Sequence, residues 1–252
     1  MLLTQAMRGS RSLAIVSIAA EPQPELRAAA DVFRHQSVGK IADMLRVFSD
    51  TGVEELVILG AVNKDVLFRP KQLDWLAVKI LAQAKTRGSQ TLFHAIADEF
   101  GARGFTVADQ RTYLPALTPD DGPITKRKIS RSARGDAEHA LRLAREVSRL
   151  DIGQTAVVKN GVPVAIEAME GTDEAIRRAA ALAGAGIVVA KAAREDHDFR
   201  FDVPTVGLDT IAILIEVDAA ALVVEADRTF VLDRDELAAR ADENGLAIVA
   251  AT

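Results

Sequence analysis

Apolar residues follow two alternating patterns along the chain. Short runs rich in Val, Ile and Leu alternate with longer stretches in which apolar residues recur three or four positions apart, the spacing of an amphipathic helix. In the first half, these patterns predict strands at 12–18, 56–61 and 105–109 and helices at 39–52, 73–88 and 89–104. Alternating strands and helices with short connections are typical of an α/β fold with a mainly parallel sheet.

The second half resumes this alternation after a break at residues 117–136. The break contains turn-forming residues, two prolines and a run of charges, so we place a domain boundary there, between domains of residues 1–122 and 123–252. Asn-Gly at 160–161, between two β-branched runs, predicts a hairpin with a type I′ turn. The remaining pattern predicts helices at 137–153, 174–183, 209–218 and 234–245 and strands at 185–193, 221–227, 229–233 and 246–251.

Composition narrows the class of protein. Aromatic residues make up only 4%, so we expect Ala, Val, Ile and Leu to fill the core. A net charge of -5 argues against a general nucleic-acid binder. The absence of cysteine excludes disulfides, thiolate zinc sites and cysteine nucleophiles. The apolar run at 12–20 is too short to span a bilayer, so we expect a soluble protein. The lack of cysteine is compatible with a reducing cytoplasm.

One basic stretch departs from the acidic average. Residues 126–134, KRKISRSAR, contain five Lys or Arg residues and no acidic residue. A solvated linker would account for it, and so would a contact with an anionic ligand or an anionic membrane surface. The sequence leaves both interpretations open.

A tight turn precedes the predicted helix at 174–183. Its residues are Glu170, Gly171, Thr172 and Asp173. Helix N-termini attract anions, so this turn is a candidate phosphate-binding element. The alternative is that Thr172 or Asp173 only caps the helix, as either residue type commonly does.

A second polar segment, REDHDFRFDVPTVG, spans residues 194–207. Alternation predicts an extended run from 199 to 203 with Arg200 and Asp202 on one face and three apolar side chains on the other. An aspartate beside basic residues can hold Mg²⁺ or orient a water molecule, although a charged loop whose residues pair with one another explains the pattern equally. Gln154, between a helix and a strand, could read a ligand or satisfy backbone groups. No histidine pair has zinc-ligand spacing, and no GxxxxGK[ST], GxGxxG or GxSxG motif occurs.

Three motifs occur in a fixed order. They are DIGQ ending at Gln154, E-x-x-EGTD ending at Asp173, and a lysine, Lys191, followed by DVPTVG from Asp202. In this order they resemble the UDP-2,3-diacylglucosamine diphosphatases of the LpxI type. The resemblance covers 117–252 and extends more loosely over 37–62 and 90–117.

The resemblance implies a fold of two α/β domains, an N-terminal Rossmann-like domain and a C-terminal LpxI-type domain, with the lipid product held between them. It also implies a metal-dependent hydrolase of lipid A biosynthesis that uses Mg²⁺ or Mn²⁺. Such an enzyme would form homodimers and work in the cytoplasm, and the resemblance leaves open whether it also contacts the inner membrane peripherally. The product pair would be 2,3-diacylglucosamine 1-phosphate and UMP. Asp202 would be catalytic and bind the metal. The substrate-binding residues would be Gln154, Glu170, Gly171, Thr172, Asp173, Lys191 and Thr205.

Departures from the family pattern keep other hypotheses open. The family has a strand and a glycine-rich loop ahead of the region at 12–18, so we expect a shortened N-terminal domain. AREDHD at 193–198 and GSQ at 88–90 also differ from the family pattern. One alternative is a catalytically impaired relative that binds a sugar nucleotide or phospholipid as a sensor or partner. Another is an enzyme for a different nucleotide-linked or phosphorylated substrate.

Overall fold

The structure is a computed structural model that describes residues 12–19, 21, 24–60, 73–83 and 89–252. The chain forms two compact units. The N-terminal unit comprises the chain up to Leu114 together with Phe199–Asp202, and the C-terminal unit comprises Pro115–Asp198 and Val203–Thr252. The strand prediction at position 61 and the helix prediction at 84–88 lie outside the described residues.

Short strands and helices alternate in the N-terminal unit. Its described strands are β1 (Ala14–Ser17), β2 (Val32–His35), β3 (Glu55–Leu56) and β4 (Thr106–Val107). Its described helices are α1 (Pro24–Ala29), α2 (Ile41–Asp50), α3 (Trp75–Gln83), α4 (Ser89–Gly101) and α5 (Gln110–Tyr113). Strands β1 and β2 pair in parallel, and so do β3 and β4. The sequence patterns gave no sign of α1, β2 or α5. The other described elements lie within their predicted ranges, apart from β3, which overlaps the strand predicted at 56–61 only at Leu56.

The core of this unit combines aliphatic and aromatic side chains. Leu45, Leu76 and Ile80 from the helices pack with Phe100 and Phe105. Because pairs of short strands bury little surface by themselves, the helices and these aromatic rings supply most of the apolar contact. Phe201 also belongs to this cluster, which explains why its segment joins the N-terminal unit.

One larger sheet organises the C-terminal unit. The strands of the unit are β5 (Gly122–Pro123), β6 (Thr155–Lys159), β7 (Val162–Ile166), β8 (Val188–Lys191), β9 (Thr205–Val206), β10 (Ala221–Glu225), β11 (Phe230–Val231) and β12 (Ala247–Ala251). The sheet order is β5-β12-β10-β8-β6-β7, and β9 pairs separately with β11. The α/β prediction is confirmed, but the expectation of a mainly parallel sheet is wrong for this sheet. Only the β8–β10 and β10–β12 pairs are parallel, because β5 opposes β12, β6 opposes β8 and β7 opposes β6.

Helices cover both faces of the sheet. They are α6 (Arg134–Arg149), α7 (Thr172–Ala183), α8 (Leu208–Glu216) and α9 (Arg234–Glu243). Helix α6 covers one face, where Ala140 and Ala144 pack on Val188 and Val223. The other three helices cover the opposite face through larger side chains, such as Ile176, Leu214 and Leu237. Alanine on α6 lets that helix lie close to the sheet, so aliphatic side chains fill this core as predicted.

The predicted Asn-Gly hairpin is confirmed. Asn160 and Gly161 both have positive φ, 51° and 78°, and join β6 to β7. The carboxylate of Asp136, in the first turn of α6, accepts hydrogen bonds from both turn N–H groups, at 2.7 Å and 2.6 Å. This buried carboxylate therefore fixes the turn to the start of α6.

The segment placed at the domain boundary has structure of its own. Two 3₁₀ turns, Pro115–Leu117 and Arg131–Ala133, flank β5, which pairs with β12 at Val249 and Ala250. The segment therefore adds an edge strand to the sheet of the C-terminal unit. Within the described part of the chain, no helix combines the length and apolar character needed to cross a bilayer.

Candidate active site

Helix α7 begins without a capping side chain. Gly171 occupies the N-cap position with φ of 84°, a conformation that favours glycine, and Thr172 is the first helical residue. The alternative that Thr172 or Asp173 only caps the helix is therefore wrong. Because glycine offers no side-chain oxygen, the first N–H groups of α7 keep their ability to bind an anion.

The Thr172 hydroxyl is the centre of a polar cluster. It donates to Oε1 of Glu167 at 3.1 Å and accepts from Nζ of Lys191 at 2.8 Å. Oγ1 of Thr155 lies 3.3 Å away, and it must be the donor because Thr172 has only one hydroxyl proton. Lys191 and Thr155 are buried at the paired ends of β8 and β6. A buried ammonium thus lies at the first residue of α7.

Gln154 joins this cluster through its main chain. Its N–H donates to Oε2 of Glu167 at 3.2 Å, and its carbonyl accepts from the Ala192 N–H at 3.0 Å. The preceding Gly153 packs so closely that an added Cβ would lie 2.3 Å from the Glu167 carbonyl oxygen. The glycine of DIGQ is therefore required sterically, since a larger residue would push the two segments apart.

Asp173 links the start of α7 to the start of α8. Its Oδ1 accepts from the Thr210 hydroxyl at 3.1 Å, and Thr210 lies in the first turn of α8. Helix α8 also follows a glycine, Gly207, at its N-cap. Two helix N-termini without capping side chains therefore lie together, and their dipoles add to the positive charge of Lys191.

Glu170 and Thr205 make their described contacts away from the Thr172 hydroxyl. Glu170 pairs with Arg178 at 2.5 Å and also accepts from the Ala168 N–H. Hydrogen bonding from its own main chain, and then from Arg178, lowers the pKa of this exposed carboxyl below its ordinary value. The Thr205 hydroxyl donates to the Val203 carbonyl at 2.8 Å.

A second buried carboxylate organises the loop after Lys191. Glu225 ends β10, accepts the Ala193 N–H at 2.9 Å and pairs with Arg145 at 2.8 Å. Arg228, which also pairs with Glu225, donates to the carbonyl oxygens of Arg194 and Glu195. These contacts fix the main chain that leaves the strand carrying Lys191.

Sequence reasoning missed Glu167 and Glu225 as site residues. Glu167 is the first residue of the E-x-x-EGTD pattern, so its place in a motif was a usable signal. Glu225 follows Val224, the residue that pairs with Lys191 across β10 and β8. A polar residue at the carboxyl end of a buried strand would have indicated it.

Asp202 belongs to the N-terminal unit, held there by its aromatic neighbours. Phe201 stacks on Phe93 with centroids 5.2 Å apart, and the Arg111 guanidinium lies 3.6 Å from the Phe199 ring centroid. Both phenylalanines are buried and Asp202 is exposed, as the alternation predicted. The predicted extended conformation is wrong, because 199–200 form a turn and Asp202 has φ of 45°. Hydrogen bonds from Gln110 to the carbonyls of Phe199 and Arg200 favour this turn.

The described residues contain no group of three or more His, Asp or Glu side chains arranged to hold a metal ion. Mg²⁺ commonly takes one or two protein carboxylates and completes its shell with phosphate oxygens and water. The exposed Asp202 carboxylate fits that kind of ligand. It does not by itself make a closed protein cage.

Comparisons with known proteins extend the resemblance over nearly the whole chain. Residues 1–117 match the model of the LpxI N-terminal domain, and residues 120–249 match that of the LpxI C-terminal domain. The UDP-2,3-diacylglucosamine pyrophosphatase LpxI of Caulobacter vibrioides is 32% identical in an alignment of 242 positions, which covers 91% of this chain and 84% of that protein. The chain therefore belongs to the LpxI family.

Proposed function

We propose that the protein hydrolyses UDP-2,3-diacylglucosamine to 2,3-diacylglucosamine 1-phosphate and UMP, a step of lipid A biosynthesis. The observation that carries this proposal is the similarity to the Caulobacter pyrophosphatase, which extends over both family domains. The Lys191–Thr172 contact at the start of α7 supports it, because a buried cation beside a helix N-terminus suits a phosphate group.

In the proposed reaction, a water oxygen attacks the α-phosphorus of the substrate. The bond from that phosphorus to the bridging oxygen breaks, so UMP carries the new oxygen and the diacylglucosamine leaves as its 1-phosphate. Lys191 and the first N–H groups of α7 and α8 would neutralise negative charge on the diphosphate. Glu167 would act through Thr172, by holding its hydroxyl beside Lys191.

The metal requirement is part of the proposal. Asp202 would supply the protein carboxylate to Mg²⁺ or Mn²⁺, with diphosphate oxygens and water as the other ligands. Such an ion would polarise a phosphoryl oxygen and lower the pKa of a bound water molecule. Homodimer formation stays a prediction from the family resemblance.

The direct test measures UMP released from UDP-2,3-diacylglucosamine with Mg²⁺ or Mn²⁺. Asp202→Asn should lower the rate by about a thousandfold, because a metal contributes several kcal/mol to the transition state. The matched control is Asp218→Asn, since Asp218 is also exposed and has φ of 51°, a conformation that asparagine tolerates as well. This control should keep the wild-type rate.

Two results would contradict the proposal. If the wild type releases no UMP under conditions in which the Caulobacter enzyme does, the hydrolase assignment fails, and retained substrate binding would favour the non-catalytic alternative. If Asp202→Asn and Asp218→Asn are equally active, the assignment of the catalytic carboxylate is wrong.

A further inference from the structure

The basic stretch at residues 126–134 is an ordered part of the C-terminal unit. On its N-terminal side, Ile124 and Thr125 donate main-chain hydrogen bonds to the Ile248 carbonyl in β12. The N–H groups of Lys126 and Arg127 donate to Oδ1 of Asp242 at 2.8 Å and 3.3 Å. A loose, solvated linker would not be fixed to the sheet and to the end of α9 in this way.

The C-terminal side of the stretch is held as well. Ile129 packs against the core beneath α6. The Ser130 hydroxyl accepts the Ala133 N–H at 3.2 Å, which begins the 3₁₀ turn leading into α6. Both sides are therefore anchored through main-chain N–H groups, the Ser130 hydroxyl and one apolar side chain, so the basic side chains are not needed to hold the segment in place.

The basic side chains all lie at the surface. The five residues concerned are Lys126, Arg127, Lys128, Arg131 and Arg134, each of them exposed. Within the described residues, none of them forms an ion pair with a carboxylate. Asp242 is engaged with main-chain N–H groups rather than with these cations. Five nearby charges, none of them in an ion pair, form a positive surface on a chain of net charge -5.

We propose that this surface, residues 126–134, binds the anionic headgroups of a phospholipid bilayer. A row of exposed cations without a buried polar side chain among them suits a plane of many headgroups better than one enclosed ligand. The acidic remainder of the chain disfavours nucleic acid, which needs a broad basic face. The choice of a bilayer rests in part on the proposed function, since a diacylated substrate resides in a membrane.

The test measures co-sedimentation of the full chain with vesicles of phosphatidylcholine, alone or mixed with phosphatidylglycerol, in the absence of substrate. We expect binding only to the anionic vesicles, and loss of that binding as the Debye length falls from about 10 Å at 0.1 M salt to about 3 Å at 1 M. Binding to neutral vesicles at the same level, or no binding to anionic ones, would overturn the proposal.

A triple variant identifies the surface. Lys126→Gln, Lys128→Gln and Arg131→Gln together should lower the partition coefficient about a hundredfold, at about fivefold for each charge. Arg127 is left unchanged because its side chain lies beside Gly245. The control triple, Arg142→Gln, Arg149→Gln and Arg177→Gln, removes the same charge from exposed positions outside the segment and should change partition far less. Equal losses in the two triple variants would contradict a local surface. If a DNA duplex binds as well as the anionic vesicles do, and the first triple variant abolishes that binding too, the choice of a bilayer is wrong.

The vesicle-binding test and the test of the hydrolase proposal can fail independently of each other. UMP release from a water-soluble, short-chain form of the substrate needs no bilayer, so the first triple variant should release UMP at the wild-type rate. Vesicle binding without any UMP release would contradict the hydrolase proposal alone. UMP release without vesicle binding would contradict the membrane proposal alone.

Discussion

Eight of the nine phenylalanines of the chain belong to the N-terminal unit, whereas the C-terminal unit has only Phe230. The C-terminal unit instead buries small and aliphatic side chains on both faces of a six-stranded sheet. The low overall aromatic content is therefore an average over two units whose cores differ in composition. Where the described strands are short and pair in twos, aromatic rings supply much of the packing that a continuous sheet would otherwise provide.

The same difference separates the ways in which the units hold their candidate site residues. In the C-terminal unit, Lys191 and Thr155 lie on neighbouring strands, and their polar atoms are buried in a hydrogen-bonded cluster. In the N-terminal unit, Asp202 is exposed, and its position depends on the packing of Phe199 and Phe201 beside it. One group is fixed by polar partners and the other by apolar anchors.

The largest expected effect comes from removing one of those anchors. Phe201→Ala should cost about 3 to 5 kcal/mol of stability in the N-terminal unit, because it loses a buried ring and leaves a cavity. Hydrogen exchange should accelerate in α4 while β8 and β10 stay protected. Phe230→Ala is the matched control, since Phe230 is buried in the other unit, and it should accelerate exchange near β9 and β11 instead.

Activity gives a second measurement on the same pair of variants. Phe201→Ala should also lower UMP release, because Asp202 follows directly and loses the packing that positions it. If Phe201→Ala weakens protection equally in both units, the contrast between separately held groups is wrong.

A smaller effect is expected when Lys191, the charged member of the polar cluster in the C-terminal unit, is replaced. Lys191→Met keeps the length of the side chain but removes the ammonium, and should lower kcat/KM about a hundredfold, equal to about 3 kcal/mol. We expect much of this loss of kcat/KM to appear as a higher KM, since the charge would bind the diphosphate before the reaction as well as during it. Steady-state kinetics of UMP release would measure it.

Lys159→Met provides the control at the other end of α7. Lys159 donates from Nζ to the Ala183 carbonyl at 2.6 Å, so it satisfies the helix C-terminus rather than its N-terminus. That variant should lose stability but keep its kinetic constants. Equal kinetic losses in the two variants would mean that Lys191 acts only on the fold.

Local patterns predicted most elements and part of the site. The Asn-Gly turn and the amphipathic helices were readable because their signals lie within a few residues of each other. The residues of the EGTD turn were singled out as candidates from the sequence, but the hydrogen bonds of the Thr172 hydroxyl to Glu167 and Lys191 were not predicted. Those contacts depend on how the ends of β6 and β8 pair with the start of α7.

Long-range packing explains the other differences. The burial of Phe199 and Phe201 could be predicted from alternation, whereas their membership of the N-terminal unit could not, because their partners lie about a hundred positions earlier in the sequence. The direction of β6 also depends on its partner β8, which follows a hairpin and a helix. Neither feature has a signature within a short window.

The smallest effect concerns one carboxylate in each unit. Glu99 in the N-terminal unit is buried, and hydrogen bonding from Arg103, followed by Lys79, lowers its pKa below the ordinary value of 4.5. A carboxyl with a lowered folded-state pKa contributes stability above its unfolded pKa and loses that contribution as the pH falls through the folded pKa. Glu99→Gln should therefore cost about 1 kcal/mol near neutral pH, a modest value because Lys79 and Arg103 are partly solvated.

The wild-type and Glu99→Gln proteins should accordingly converge in stability as the pH falls below 4.5. Denaturant unfolding at several pH values, with hydrogen exchange in α3 and α4, would measure this difference. Glu170→Gln is the counterpart in the C-terminal unit, where the pKa is also lowered but the carboxyl is exposed and solvent screens its pair with Arg178. A difference for Glu99→Gln that persists unchanged at acid pH would show that packing, rather than charge, sets the contribution of Glu99. An effect of Glu170→Gln as large as that of Glu99→Gln would contradict the role of burial, and with it the contrast drawn between the two units.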